Sequence, residues 1–264
     1  MRLFTVDSFT DQPFKGNPAA VCLLDDARPD EWMQALAREM RHSETAFVQA
    51  GPPGDPYVLR WFTPAVEVAL CGHATLATAH VLYSTGLDSG VLRFATKSGI
   101  LSTDQLDHGF ISMDFPAYPP AEVAPSAALG AALGATPTWA GMSRMDMLVE
   151  LESEKAVQEL APDIDAIAAL DTRGVCVTAR AADSTAGIDY VSRFFAPLAG
   201  VPEDPVTGSA HCMLAPYWSG KLGEPALVGA QLSERTGVVH TTMRGDRVQL
   251  AGQAVTIWSG HLQV

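Results

Sequence analysis

Tyr57-Val58-Leu59-Arg60-Trp61-Phe62-Thr63-Pro64 and Tyr190-Val191-Ser192-Arg193-Phe194-Phe195-Ala196-Pro197 follow one pattern, Tyr-Val-x-Arg-aromatic-Phe-x-Pro. Each reads as a β-strand ended by a proline, which has no N–H to offer a ladder. A glycine-containing turn and an apolar run come next in both places. The first turn is Cys71-Gly72-His73-Ala74-Thr75; the second is Glu203-Asp204-Pro205-Val206-Thr207-Gly208-Ser209-Ala210-His211-Cys212. Farther on, Lys97-Ser98-Gly99-Ile100-Leu101 is answered by Arg235-Thr236-Gly237-Val238-Val239, and matching positions lie 133 to 138 residues apart. Two matches in the same order at a nearly constant offset imply an internal duplication. Two like halves facing each other would bring two helix N-termini toward one cleft.

The second turn carries the most chemistry. Pro205 disfavours helix at Asp204, while Thr207 and Ser209 are good helix caps, so Asp204 is expected on a turn just outside a helix. The free N–H groups of such a helix start suit a carboxylate or phosphate. A capped surface helix with no ligand accounts for the same pattern.

At 264 residues the chain can bury a substantial core. With 47% hydrophobic and 18% charged residues it is globular rather than disordered. A net charge of −13 argues against nucleic acid, and a small anionic ligand would need local positive groups or helix N-termini. Four scattered cysteines with no CxxC pair suggest reduced thiols and a cytoplasmic setting. The N-terminus turns polar too early for a signal peptide, and no apolar run is long enough to span a membrane.

In chain order, Leu3 to Phe9 reads as a strand and Asp11 to Pro18 as a turn-rich loop from which Lys15 and Asn17 could reach a ligand. Ala19 to Leu24 is a strand, and Asp30 to Arg41 has the spacing of an amphipathic helix. Strands follow at Ala46 to Val48 and Val58 to Phe62, then a small-residue helix at Ala74 to Tyr83. Leu92 to Phe115 alternates through short strands. The prolines from Pro116 to Pro125 mark a boundary, giving domains 1–117 and 118–264. Beyond it the plan repeats: strand near Met147, helix around Ile164, strands Val175 to Ala179 and Tyr190 to Phe195, the second turn and its helix. Three strands close the chain. Gly130 to Ala135 could form a loose helix.

Glu44 lies between a helix end and an apolar strand. Burial there would raise its pKa toward the range useful for acid/base work, although a lone glutamate is more often solvated. The second half has Thr172-Arg173-Gly174 before its matching strand, so only the first half would supply the acid/base. His73 could shuttle a proton or cap its helix. Cys71 could be an activated thiol or a buried apolar residue. Cys71 with His73, or His211 with Cys212, lacks a second pair at zinc-site spacing, so no metal is expected. No G-x-G-x-x-G, Walker loop or G-x-S-x-G elbow is present, leaving acid/base chemistry without a cofactor.

Together, Gly16-Asn17-Pro18, Ser43-Glu44-Thr45-Ala46-Phe47, Cys71-Gly72-His73-Ala74-Thr75 and Asp204-Pro205-Val206-Thr207-Gly208-Ser209-Ala210 resemble the PhzF-like phenazine biosynthesis family of the diaminopimelate epimerase and proline racemase superfamily. The resemblance runs along the whole chain in the family's motif order. It implies an α+β fold of two pseudo-symmetric halves, each a curved, barrel-like mixed sheet around a central helix, with the active site between them. It implies a cofactor-independent isomerase acting on a small carboxylated metabolite, commonly as a homodimer. By the same resemblance Glu44 corresponds to the general acid/base, and His73, Asp204 and Ser209 to the residues that assist proton transfer and hold substrate. Gly72 and Gly208 would offer backbone N–H groups, and Asn17, Cys71 and Thr207 would complete the binding set. In the epimerase relatives a cysteine from each half flanks the reacting carbon; here those places correspond to Cys71 and Asp204. Gly72-His73-Ala74 stands where the namesake has Gly-His-Pro. An amino-acid epimerase using Cys71 and Asp204, and a non-catalytic binding protein on the same scaffold, are the two alternatives.

Overall fold

The structure is a computed structural model that describes residues 1–144 and 146–264. The chain opens with β1 (Arg2–Ser8), β2 (Asn17–Leu24), α1 (Asp30–Met40), β3 (Glu44–Gln49), β4 (Tyr57–Phe62) and β5 (Glu67–Val68). Then come α2 (Gly72–Ser84), β6 (Leu92–Thr96), β7 (Gly99–Gln105), β8 (Ile111–Pro116), β9 (Ala121–Glu122), α3 (Ala127–Leu133) and β10 (Trp139–Met142). β11 (Asp146–Glu150), α4 (Glu154–Gln158), α5 (Ile164–Ala168), β12 (Gly174–Arg180), β13 (Tyr190–Ala196) and β14 (Val201–Asp204) follow. The chain ends with α6 (Gly208–Leu222), β15 (Ala226–Gln231), β16 (Gly237–Arg244), β17 (Arg247–Gly252) and β18 (Ala254–His261).

Two compact units result: Met1–Asp114 with Ala251–Val264, and Phe115–Leu250. A boundary drawn at 117/118 takes no account of the return of β18, which pairs antiparallel with β1 from Arg2 to Ser8. That return costs one long-range strand pairing and covers what would otherwise be an open edge.

Within each unit the strands pair in the same order. In the first, β1–β2 is antiparallel, β2–β3 parallel, β3–β4 and β4–β5 antiparallel, β4–β6 parallel and β6–β7 antiparallel. In the second, β10–β11 is antiparallel, β11–β12 parallel, β12–β13 and β13–β14 antiparallel, β13–β15 parallel and β15–β16 antiparallel. The edge strand repeats too, β9 lying on β10 as β18 lies on β1. Each unit is therefore a mixed sheet of one topology, with α2 and α6 at the same place in the order.

These sheets are buried on both faces, so their strands read as nearly continuous apolar runs. In the first unit Leu3, Ala20, Cys22, Phe47 and Phe62 pack with Met33, Leu36 and Ala37 of α1. Residues of the other parity, Ala19, Val21, Ala46 and Trp61, are equally buried, on the side where α2 meets β1, β2, β3, β7 and β18. Enclosed in this way, α2 has no polar face: nine of its thirteen residues are buried, among them Ala74, Ala77 and Ala79. In the second unit Val175, Val177, Val191 and Phe195 face α3, α4 and α5. Their neighbours Cys176, Tyr190 and Phe194 face Met213, Leu214 and Trp218 of α6.

α6 contains Pro216, which removes the N–H that would bond the Cys212 carbonyl. That carbonyl instead accepts the Tyr118 N–H at 2.8 Å. Among the described residues no helix is long and apolar enough to cross a membrane.

Candidate active site

In the first unit the site residues collect at the start of α2. Gly16 makes the turn into β2 at φ +65, where an added Cβ would meet the Ser8 carbonyl oxygen at 2.1 Å. Only glycine fits. Asn17 is thereby the first residue of β2, wholly buried, rather than a loop residue. Its neighbour across the ladder, Ser8, donates from Oγ to the His73 carbonyl at 2.8 Å and fixes the helix start to β1. Asn17 Nδ2 lies 3.3 Å from His73 Nδ1, and Asn17 Oδ1 accepts from Ser43 Oγ at 3.4 Å.

Glu44 opens β3 opposite Ala19. Its Oε2 lies 3.4 Å from His73 Nε2, with the two side chains 18% and 6% exposed. Ser43 Oγ approaches the same nitrogen at 3.3 Å, and Cys71 Sγ lies 3.5 Å from Nδ1. Burial pushes the Glu44 carboxyl above its ordinary value, and hydrogen bonds from Ser43 and Cys71 oppose that rise in part. Cys71 is the N-cap of α2, and the first intrahelical bond runs from the Thr75 N–H to its carbonyl. The N–H groups of Gly72, His73 and Ala74 precede that bond.

Glu44, Cys71 and His73 each present a possible ligand atom, all within 4.8 Å of one another. The thiol faces Nδ1 of the imidazole and the carboxylate faces Nε2. A ring with polar partners at both nitrogens suits movement of a proton.

In the second unit the corresponding residues gather at the start of α6. Asp204 ends the short strand β14, so the expected turn is confined to Pro205 and Val206. Thr207 is the N-cap by position, but its side chain makes no capping bond. Its hydroxyl donates to Asp204 Oδ2 at 2.5 Å, fixing the carboxylate's direction. Gln231 of β15, fully buried, holds this turn: its Oε1 accepts the Thr207 N–H at 2.9 Å and its Nε2 donates to the Asp204 carbonyl at 2.7 Å. Ser209 Oγ accepts from Arg173 at 3.4 Å. Gly208 is the first residue of α6, as Gly72 is of α2, and the caps Cys71 and Thr207 match.

The structure thus groups Asn17, Glu44, Cys71, Gly72 and His73 in one unit, and Asp204, Thr207, Gly208 and Ser209 in the other. Sequence reading left out Ser43, Arg173 and Gln231 as site residues. Carrying the repeat one residue upstream of each matching strand would have brought out Ser43 and Arg173. Gln231, 24 residues beyond Thr207, has no local signal.

The family model for the phenazine biosynthesis-like protein matches residues 6–260. The chain belongs to that family. An uncharacterized isomerase of Pseudomonas aeruginosa is 49% identical over 100% of this chain and 99% of its own. A PhzF-family crystal structure from Enterococcus faecalis superposes with a TM-score of 0.94 at 38% identity, covering 100% and 99% of the two chains. A probable proline racemase from Agrobacterium radiobacter shares the fold at a TM-score of 0.66 and 9% identity, covering 100% and 93%. The PhzF-like protein described here is therefore an isomerase with the epimerase-like α+β fold.

Proposed function

We propose that this protein moves a proton between carbons of a small carboxylated metabolite without a cofactor, using Glu44 as the general acid/base. The observation that carries the reading is the setting of Glu44: a mostly buried carboxyl with a raised proton affinity, beside a histidine gripped at both ring nitrogens. A base of that kind abstracts a proton next to a carboxylated or unsaturated centre better than a solvated glutamate, because its pKa lies nearer the working pH. The C–H electron pair passes into the neighbouring unsaturated system, and Glu44 returns the proton at a second carbon. No atoms are exchanged overall. His73 steadies the carboxyl in both protonation states. Asn17 orients His73 from within the core. The N–H groups at the start of α2 suit the charge that builds up in the transition state, and Ser209, the N–H of Gly208 and Asp204, aimed by Thr207, suit a substrate's polar groups.

Turnover of a panel in deuterated water tests this. The panel holds dihydro-hydroxyanthranilate, proline, trans-4-hydroxyproline and methylitaconate, with Glu44→Gln run beside the wild type. An isomerised product that needs Glu44 supports the assignment. Unchanged turnover in Glu44→Gln removes it.

A second reading, an epimerase with Cys71 and Asp204 as opposed bases, draws on the place of Cys71: buried at the α2 cap and hydrogen-bonded to Glu44. In that case Cys71→Ser abolishes turnover while Glu44→Gln leaves it.

A further inference from the structure

The two units make the same link in different chemistry. The residue before the strand that opens with Glu44 is Ser43, and it reaches the second residue of α2, with Ser43 Oγ 3.3 Å from His73 Nε2. The residue before the matching strand is Arg173, and it reaches the second residue of α6, with Nη2 3.4 Å from Ser209 Oγ. Where one unit builds an acid/base centre, the other places a fixed cation.

Its fixing is specific. Arg173 donates from Nε to Asp146 Oδ1 at 2.8 Å and from Nη2 to Asp146 Oδ2, a fork on a carboxylate that is itself buried. Asp146 sits opposite Gly174 in the parallel β11–β12 pair, so the pair joins two strand starts. Gly174, in the place of Glu44, has no room for a side chain: an added Cβ would meet the Phe194 ring at 2.7 Å. Asp146 takes only one edge of the guanidinium. Among the described residues Nη1 makes no hydrogen bond, and the side chain is 39% exposed. The charge of Asp204 also acts on it. The other arginine of the repeat in this unit, Arg193, is consumed by Glu203 and two backbone carbonyls.

We propose that Arg173, oriented by Asp146, is a specificity residue that receives the carboxylate of the substrate beside Ser209. A protein of net charge −13 that takes an anion needs such a local cation, and a planar guanidinium with a free edge selects a planar carboxylate. The role of Asp146 is to position the fork and keep it from collapsing onto Asp204. This inference rests on the isomerase reading above for the nature of the ligand, but not on the identity of the base.

The test is binding, read by ligand-observed NMR, of each panel compound beside its carboxamide. It uses the wild type, Glu44→Gln, Arg173→Lys, Arg173→Met and the double variant Arg173→Met/Asp146→Asn. The wild type and Glu44→Gln should prefer the carboxylate over the amide. Both methionine variants should lose that preference through a drop of about tenfold or more in carboxylate affinity, with Arg173→Lys between. The double variant leaves no unpaired aspartate, so a loss that it shares is not a folding defect. A carboxylate preference that survives in the double variant overturns the proposal, as does a wild type with no preference for any carboxylate. Failure of the Glu44 assignment shows separately, as turnover in Glu44→Gln with binding intact.

Discussion

The position that opens β3 carries Glu44, and the matching position that opens β12 carries Gly174, against which the Phe194 ring is packed. If Glu44 is the base as proposed, the second unit has no counterpart to it, and replacing Glu44 by Gln should lower kcat by about 10² to 10⁴-fold while carboxylates still bind. As base, Glu44 must be ionised. With its pKa raised by burial, kcat/KM should climb with pH through a midpoint above the ordinary carboxylate value, as a pH profile will show. His211 makes a contrasting case. It is wholly buried in α6, its Nδ1 lies 2.9 Å from the Tyr190 hydroxyl, and desolvation holds its pKa down to about 3. Between the unfolded value near 6.5 and about 3 the unfolded chain binds a proton that the folded chain does not. Stability contributed there is present above pH 6.5 and lost as pH falls. Glu44, raised instead of lowered, works in the opposite sense, so the difference between the wild type and His211→Gln isolates the histidine. Denaturant unfolding at pH 7.5 and 5 should show the wild type losing more stability than the variant. An equal loss would mean that His211 titrates normally.

At the scale of the element, one ion pair recurs in each unit. Arg60 forks onto Glu67 and Arg193 onto Glu203, joining β4 to β5 and β13 to β14, and each guanidinium lies over a phenylalanine ring, Phe62 or Phe195. The surroundings differ. Glu67 keeps Lys97 if Arg60 is removed. Loss of Arg193 strands Glu203 and the carbonyl of Leu160, in a site where the arginine is only 12% exposed. Arg193→Ala should thus cost about 2–4 kcal/mol, and Arg60→Ala about 1 kcal/mol, in denaturant unfolding. These elements were legible in sequence because a two-sided buried strand writes itself as an apolar run with one conspicuous arginine. β10 and β15 were not, since Trp139-Ala140-Gly141-Met142 and Ala226-Leu227-Val228-Gly229-Ala230-Gln231 are rich in Gly and Ala, which are poor strand formers. Glu44, His73 and Asp204 stood in short motifs and could be read. Gln231 could not, because its bond to Thr207 exists only once β15 has paired with β13.

Over the whole molecule the duplication explains more than the topology. It supplies two helix starts with the same backbone and leaves sequence drift to divide the labour between them, a carboxylate–histidine centre at α2 and a carboxylate–arginine centre at α6. The end of the chain, β18, belongs with β1 through a pairing that spans the sequence, which no local pattern announces. Charge is the other global property. At −13 the molecule repels any anion at long range, while on the proposed reading Arg173 would attract a substrate carboxylate only at close quarters. Screening acts on the first term much more than on the second, because the Debye length shrinks from about 30 Å at 0.01 M salt to about 8 Å at 0.15 M. For a substrate anion kcat/KM should therefore rise severalfold over that range in an inert salt, through KM or the association rate rather than kcat. A fall with salt would mean that the attraction near Arg173 dominates the approach as well as the bound state. The carboxamide of the same compound, tested for binding across the same range, should show no such trend.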